Sequence, residues 1–296
     1  MKVDIPGMII DGRKIAEGIL EELKSEVVKI KKPLYLAAVL VGQDAGSRRF
    51  LELKKKAAES IGIECRIYEF PEEISNGELR KKLNQIVKAT TCGGMIIELP
   101  LPEHLNTQAI LNAVPEEKDP DVLSQKAQGT FFARPVVNAE RSTTGAGRSK
   151  ILPPSVEAVK QIFEEYKIGP KGKIIAVFGY GLLVGKPVGH WLAGQGATVT
   201  VINEFTENPA ELSKKADIII SGVGKPGLIG LDMIKDGAIV IDFGFAGTEK
   251  GITGDVDFEE VSKKVSLITP VPGGTGPIVV AAVLKNFVKL ISGGGE

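Results

Sequence analysis

The chain has 296 residues, enough for two domains of ordinary size. Hydrophobic residues make up 43% and charged residues 25%, so the composition is that of a globular protein with a substantial core and excludes a disordered chain. The 37 Lys and Arg residues balance the 37 Asp and Glu residues. Zero net charge provides no long-range attraction for nucleic acid or for an anionic membrane, so a small-molecule partner is favoured.

The cysteines and the apolar segments narrow the class further. Cys65 and Cys92 form no C-x-x-C pair and have no histidine cluster near them, so we predict two free core thiols, no disulfide framework and no metal site. The sequence contains no run of about 18 uncharged apolar residues, and its N-terminus lacks the apolar segment of a signal peptide. These features predict a cytoplasmic protein that does not bind membranes.

Short apolar runs alternate with amphipathic segments along the chain, a pattern typical of parallel strands joined by helices. The sequence therefore predicts an α/β fold. In the first half, strands are predicted at 34–40, 64–70 and 94–99. Helical periodicity is found at 12–30, 47–61 and 77–89, and Ser47 is a candidate for the N-cap of the second of these helices.

The periodicity is lost at 134–150, which is rich in Ser, Thr, Gly and Arg. This segment is interpreted either as a linker or mobile loop or as a surface insertion. Beyond it, a helix is predicted at 156–168, and a second series of strands follows at 173–179, 197–203, 216–222 and 237–244, with a weaker candidate at 266–269.

The last apolar segment, 277–291, is apolar nearly all round and is predicted to be a buried helix that returns to the first domain. We therefore predict one domain from residues 1–150 and 277–296, and a second from residues 151–276.

The sharpest local motif is Gly179-x-Gly181-x-x-x-Gly185, between a predicted strand and a helix. Glycines permit a tight turn that brings backbone N–H groups at a helix N-terminus close to a pyrophosphate, so a dinucleotide site is predicted. Glu204 follows the next strand, where a carboxylate binds ribose hydroxyls and repels a 2′-phosphate. This charge favours NAD over NADP, unless Glu204 points to solvent or its charge is compensated by Lys214, Lys215 or a loop arginine.

Further segments read GGMIIELPLP at 93–102, SGVGKPGLI at 221–229 and TPVPGGTGP at 269–277. With these motifs the chain resembles the bifunctional methylenetetrahydrofolate dehydrogenase/cyclohydrolase family over nearly its whole length. The resemblance implies two three-layer α/β domains, the second a Rossmann-type doubly wound parallel sheet, with a folate cleft between them, and a homodimer. It implies oxidation of N5,N10-methylenetetrahydrofolate with NADP or NAD, followed by hydrolysis to 10-formyltetrahydrofolate.

The resemblance also implies the residues of the site. The catalytic candidates are Lys54, Glu98 and Asp121. The candidates for substrate binding are Ser47, Phe50, Leu99, Pro100, Pro272, Gly273, Gly274 and Pro277. The candidates for cofactor binding are Gly179, Tyr180, Gly181, Val184, Gly185, Glu204, Val223, Gly224 and Gly244.

Several of these positions depart from the family pattern. Phe50 replaces a tyrosine, Glu98 replaces a glutamine, and Val-Leu-Ser at 122–124 replaces Gly-Phe-His. A carboxylate beside Lys54 favours the ammonium form and raises the pKa of the amine. We therefore expect hydride transfer to survive better than hydrolysis, which needs local proton transfers.

Two other functions stay open at this point. The altered segments 122–124 and 152–154 suggest a dehydrogenase for another reduced pterin or for an unrelated small substrate. A catalytically silent homologue that acts as a binding subunit is the other alternative, and the retention of Lys54, Asp121 and the glycine motif argues against it.

Overall fold

The computed structural model describes residues 8–30, 32–133, 151–248 and 251–292. The chain divides into two compact units, which we name after their main sheets. Among the described residues, the three-strand unit contains 17–30, 32–133, 151–154 and 280–292. The six-strand unit contains 8–16, 155–248 and 251–279. The segment 134–150, interpreted above as a linker or insertion, lies outside the described residues.

Each predicted strand and helix is present close to its predicted position, together with several short elements that were not predicted. The strands are β1 (Met8–Ile9), β2 (Tyr35–Val41), β3 (Cys65–Phe70), β4 (Cys92–Ile97), β5 (Ile174–Phe178), β6 (Thr198–Ile202), β7 (Ile218–Ser221), β8 (Ile239–Asp242), β9 (Ala246–Thr248), β10 (Gly251–Thr253) and β11 (Leu267–Ile268). The helices are α1 (Gly12–Val27), α2 (Ala45–Ser60), α3 (Asn76–Val87), α4 (Thr107–Leu111), α5 (Gln125–Phe132), α6 (Pro154–Glu165), α7 (Gly185–Gly194), α8 (Pro209–Ser213), α9 (Phe258–Val261) and α10 (Thr275–Ser292). The strands and helices predicted above are all confirmed, and the α/β class with them.

The sheet of the three-strand unit has the order β3-β2-β4 and is parallel. All seven residues of β2 are buried, which explains the unbroken apolar run YLAAVLV. Gly93 and Gly94 on β4 let α10 pack closely, because a Cβ at Gly94 would lie 2.9 Å from Cδ2 of Phe287. Cys65 and Cys92 are free and buried, as predicted.

Helix α10 is the predicted buried helix, and the chain passes from the six-strand unit into the three-strand unit within it. By length and composition it is the one helix among the described residues that is able to cross a membrane, but 56% of its apolar window is buried inside the structure. Phe287 and Val288 are fully buried. These are the properties of a core helix in a soluble protein.

The larger sheet has the order β1-β11-β8-β7-β5-β6 and is parallel throughout. Strand β5 pairs with β6 on one side and with β7 on the other, so the strand order reverses beside β5. In a doubly wound sheet, ligands bind outside the carboxyl ends of the strands at this point. The Rossmann-type sheet predicted for the second half is therefore confirmed, and its switch point lies at the glycine motif.

The N-terminal residues differ from the predicted domain boundary. We assigned residues 1–150 to the first domain, but β1 pairs with β11, with Met8 opposite Leu267 and Ile9 opposite Ile268. A strand of two residues carries no periodic signal, and its partner stands near the other end of the chain. The antiparallel pair of β9 and β10 was also missed, because strands of three residues are too short to show a periodic pattern.

Candidate functional site

Lys54 and Glu98 form a buried ion pair in the three-strand unit. Nζ of Lys54, on α2, donates a hydrogen bond of 2.7 Å to Oε1 of Glu98, which directly follows β4. The two residues are 7% and 6% exposed. The contact predicted between them is confirmed. Lys54 is withdrawn from water, although its sequence context alone would be interpreted as that of a solvated side chain.

Asp121 completes a cluster of charges around this pair. Burial lowers the pKa of the Lys54 amine, but the attraction of Glu98 and Asp121 outweighs burial and leaves the pKa above its ordinary value. Burial raises the pKa of the Asp121 carboxyl to about 6, and the charge of Lys54 opposes that rise. Lys54 is therefore an ammonium at neutral pH, while Asp121 exchanges its proton just below neutrality.

The backbone on both sides of Asp121 is fixed by buried polar side chains. Oδ2 of Asp119, 3% exposed, accepts hydrogen bonds from the backbone N of Leu123 at 3.0 Å and from that of Ser124 at 2.8 Å. Nδ2 of Asn286, on α10, donates to the carbonyl of Pro120 at 2.8 Å. These bonds hold the loop that carries Asp121.

Val122 occupies a conformation that favours glycine. Its φ is +58° and its side chain is buried at 2% exposure. A β-branched residue in the left-handed region is sterically strained, and glycine, which is usual here in the family resembled, is not. The substitution has therefore kept the shape of the turn at a steric cost, beside a candidate catalytic residue.

The start of α2 corrects one interpretation. Asp44 is the N-cap, and its Oδ1 accepts hydrogen bonds of 2.7 Å from the backbone N and from Oγ of Ser47. Ser47 therefore lies in the first turn instead of capping the helix, because α2 begins earlier than the periodicity indicated. Its Oγ also lies 3.1 Å from the carbonyl of Leu99 and connects α2 to the ELPLP segment.

Phe50 lies one turn before Lys54 on α2 and is half-buried. Leu99 is half-buried and Pro100 is exposed, and the peptide bond between them is cis. With Ser47, these residues belong to the unit that holds the charge cluster.

The remaining substrate candidates, Pro272, Gly273, Gly274 and Pro277, belong to the six-strand unit. Their loop leaves no room for a side chain at Gly274, where a Cβ would lie 2.7 Å from Cβ of Thr269. Gly273 has a φ of +105°. The backbone conformation and packing of this loop therefore explain why both positions are glycine. A contact of these residues with folate stays a prediction.

The cofactor candidates lie along the carboxyl edge of the six-strand sheet. Gly179, Tyr180, Gly181, Val184 and Gly185 follow β5, Glu204 follows β6, Val223 and Gly224 follow β7, and Gly244 follows β8. The structure therefore brings nine residues that are dispersed in sequence to one edge.

In the turn from β5 into α7, glycines let two backbone segments approach each other closely. Gly179 has a φ of +86°, and a Cβ at Gly185 would overlap the carbonyl of Gly179. A Cβ at Gly181 would meet nothing within 4 Å. Val184 is the N-cap of α7 and makes no side-chain capping hydrogen bond. An open glycine turn at an uncapped helix N-terminus fits the pyrophosphate of a dinucleotide.

Asp255 shapes the neighbouring loop and was missed in the sequence. It is fully buried, and its Oδ2 accepts hydrogen bonds from Oγ of Ser221 at 2.6 Å and from the backbone N of Val223 at 2.8 Å. Its Oδ1 accepts from the backbone N of Lys225 at 2.7 Å. The sequence did contain a signal for this role, because a carboxylate among the apolar residues of GDVDF (254–258) needs hydrogen-bond donors if it is buried.

Asp242, at the end of β8, is the second missed acid. Its Oδ1 accepts from the backbone N of Gly244 at 2.6 Å, and its Oδ2 accepts from that of Val256 at 3.0 Å. Burial raises the pKa of this carboxyl to about 6, with a further rise from Asp255. The two acids hold the backbone around Val223 and Gly244.

Glu204 is exposed and lies just beyond the end of β6. Strand β6 is in register with β5, with Ile202 opposite Phe178, so Glu204 extends from the same edge as the glycine turn. The position agrees with that of a ribose-binding acid, and the preference for NAD stays a prediction.

Comparison with known proteins gives consistent matches over both units. Residues 10–121 match the catalytic domain described as tetrahydrofolate dehydrogenase/cyclohydrolase, and residues 153–293 match the NAD(P)-binding domain of the same description. The bifunctional protein FolD of Nautilia profundicola is 42% identical over 285 residues, which cover 95% of this chain and 96% of the relative.

Two solved structures extend these matches. The bifunctional FolD enzyme of Campylobacter jejuni has a TM-score of 0.87 at 35% identity, covering 96% of this chain and 98% of that one. The Trypanosoma brucei enzyme, solved with NADP cofactor and an inhibitor, has a TM-score of 0.88 at 31% identity and 97% coverage of both chains.

Proposed function

The chain belongs to the tetrahydrofolate dehydrogenase/cyclohydrolase family, and from that premise we propose that it oxidises N5,N10-methylenetetrahydrofolate with a nicotinamide cofactor and hydrolyses the methenyl product more slowly. The observation that carries the proposal is the buried ion pair of Lys54 and Glu98, with the half-buried Asp121 acting on its charge. We assign folate binding to the three-strand unit and cofactor binding to the six-strand unit.

The charge of the cluster favours the oxidation. A bound nicotinamide ring supplies the hydride acceptor, and the protein supplies orientation and electrostatics. Loss of hydride leaves a positive charge on the one-carbon bridge of the folate. One ammonium and two carboxylates have a net negative charge when both acids are ionised, so the cluster stabilises a cation that develops beside it.

The same charges oppose the hydrolysis. Attack of water on the methenyl group requires a base that takes up a proton. The neutral amine of Lys54 is competent for this role and its ammonium form is not. Because Glu98 raises the pKa of Lys54, only a small fraction of the amine is neutral near pH 7.

We further propose that NAD is preferred, because the exposed carboxylate of Glu204 repels a 2′-phosphate at the edge that carries the glycine turn. A homodimer in the cytoplasm belongs to the same proposal and is tested by sedimentation and by fractionation of the source cells.

The test is a spectrophotometric assay of the purified chain. Methenyltetrahydrofolate formation is followed separately with NAD and NADP, and hydrolysis of methenyltetrahydrofolate is followed without cofactor. We expect oxidation to exceed hydrolysis and NAD to exceed NADP in kcat/KM. Hydrolysis faster than oxidation would contradict the proposal. Lack of tetrahydrofolate binding would favour another substrate, and cofactor binding without turnover would favour a silent binding subunit.

A reverting variant tests the role of the lysine pKa. The double substitution Glu98→Gln and Phe50→Tyr removes the neighbouring charge and restores a hydroxyl one turn from Lys54. We expect hydrolysis to rise about tenfold or more, because one unit of pKa changes the neutral fraction about tenfold. The pH profile of hydrolysis should move to lower pH. The exposed Glu73→Gln is the control, and unchanged hydrolysis in the double variant would refute the account.

A further inference from the structure

Apolar side chains are exposed along the edge that carries the cofactor candidates. Among the described residues, Tyr180 and Leu183 after β5, Phe205 after β6 and Val223 after β7 are 54%, 49%, 83% and 46% exposed. Strands β6, β5 and β7 are neighbours in the sheet, so these side chains follow the ends of three adjacent strands. Clustered apolar exposure of this kind marks a surface that a ligand covers.

Phe205 is the most exposed aromatic residue of this edge, and its backbone is held without help from its ring. Its backbone N donates to Oδ1 of Asn203 at 3.0 Å. The backbone N of Asn203 donates to Oγ1 of Thr206 at 2.9 Å, and the backbone N of Thr206 donates to the carbonyl of Asn203 at 3.1 Å. The turn is therefore formed before any ligand binds, which lowers the entropic cost of binding there.

The turn directly adjoins the glycine motif. The backbone N of Gly179 donates to the carbonyl of Ile202 at 2.8 Å, so the first glycine and the end of β6 are hydrogen-bonded to each other. Glu204 and Phe205 come two and three residues after Ile202. A dinucleotide whose pyrophosphate lies on the glycine turn places its adenosine over the end of the next strand, where these two residues lie.

We propose that the ring of Phe205 stacks on the adenine of the nicotinamide cofactor and sets the affinity for the adenosine half of the molecule. The inference rests on the proposed function, because it takes a nicotinamide dinucleotide as the ligand. Adenine has a planar π-face, and aromatic side chains bind such faces independently of hydrogen bonding. Loss of one such stack weakens binding about 5- to 100-fold.

Tyr180, the other exposed aromatic residue of this edge, is less suited to the base. Its ring already has Nζ of Lys186 at 5.7 Å from the centroid, within the range of a cation–π contact. Tyr180 also lies inside the glycine turn, and Lys186 lies in the first turn of α7, where a pyrophosphate is expected. Phe205 thus takes the base, and Tyr180 lies with the phosphates.

The experiment is calorimetric titration of the full chain and of Phe205→Ala with three probes: NAD, ADP-ribose, which lacks nicotinamide, and nicotinamide mononucleotide, which lacks adenosine. We expect Phe205→Ala to weaken NAD and ADP-ribose by the same factor, about 5- to 100-fold, and to leave nicotinamide mononucleotide unchanged. Phe205→Trp should keep the affinity of the original residue. Because Phe205 is exposed, its substitution should leave the fold intact.

The control is Ile174→Ala, which removes a 40% exposed apolar side chain at the opposite end of β5 and should change no affinity. Unchanged binding of ADP-ribose to Phe205→Ala would overturn the inference. An equal loss for nicotinamide mononucleotide would also overturn it, because the effect would then come from a general disturbance. If the unaltered chain binds neither NAD nor, in an additional titration, NADP, the proposed function itself is contradicted.

Discussion

The charge cluster of the three-strand unit and the nucleotide edge of the six-strand unit are built in opposite ways. Lys54 and Glu98 form a buried ion pair, and the half-buried Asp121 adds a second carboxylate that attracts the ammonium of Lys54. The pyrophosphate turn of the nucleotide edge is formed by backbone and glycines, with exposed side chains beside it, and the buried Asp255 fixes a neighbouring loop. A substitution in the charge cluster changes pKa values, whereas one at a closely packed glycine of the nucleotide edge changes the path of the chain.

Three of the departures from the family pattern lie at the charge cluster. Phe50, Glu98 and Val122 all lie in or beside the charge cluster, and the backbone around Val122 is held by hydrogen bonds to Asp119 and Asn286. Chemistry can therefore change there while the fold stays constant. At the nucleotide edge, a side chain at Gly185 would collide with backbone, so the same freedom is absent.

The largest effect is expected for Lys54→Met, which leaves the buried Glu98 and the half-buried Asp121 without their cation. We expect the free energy of unfolding to fall by about 3–5 kcal/mol at pH 8, measured by urea denaturation with circular dichroism. Folding raises the pKa of Asp121, so its neutral form favours the folded state below about pH 4, and this contribution is lost as the pH rises through about 6. Lys54 lowers the pKa of Asp121, so in Lys54→Met the ionisation of Asp121 costs more stability. The difference in stability between the variant and the original protein should therefore be smaller at pH 5 than at pH 8.

The double variant Lys54→Met with Glu98→Met is the control for this prediction. It replaces the ion pair with apolar groups, so it should recover most of the lost stability. A double variant as unstable as Lys54→Met would show that the pair is not the origin of the effect.

The next effect separates two glycines of one turn. Gly185→Ala places a Cβ against the carbonyl of Gly179, so the backbone must shift at a cost of about 1–3 kcal/mol, and NAD binding should weaken with it. Gly181→Ala meets no atom and should leave stability within about 0.5 kcal/mol. Trp191, the single tryptophan, lies on α7 and reports unfolding of this unit by fluorescence.

If Gly181→Ala weakens NAD binding without loss of stability, the open space beside Gly181 is the space that the cofactor occupies. Equal stability of the two alanine variants would contradict the steric account of the turn.

The smallest effect concerns the strained turn at Val122. At an ordinary buried site, a protein with glycine is less stable than one with alanine. At a φ of +58° the order is reversed, because alanine keeps a backbone strain of about 1 kcal/mol that glycine does not have. We expect Val122→Gly to be more stable than Val122→Ala by about 1 kcal/mol in thermal unfolding. If alanine is the more stable residue, the conformation at 122 is not strained.

The sequence was sufficient for the α/β class, the order of the predicted strands and helices, and the glycine turn, because each depends on contacts between residues close in the chain. Apolar periodicity located β2 and β5, and the strand–turn–helix context identified Gly179 and Gly185. The contact between Glu98 and Lys54 was also predicted, because a carboxylate at the end of a buried strand needs a partner of opposite charge.

Tertiary structure alone decided the contacts between distant segments. The pairing of β1 with β11, the support of the Asp121 loop by Asn286 and the hold of Asp255 on the loop after β7 all join residues that no local pattern connects. The pKa values of Lys54 and Asp121 were decided in the same way, because burial and the distance between charges exist only once the chain is folded. The amino-acid sequence determined which groups are present, and packing determined which of them are removed from water together.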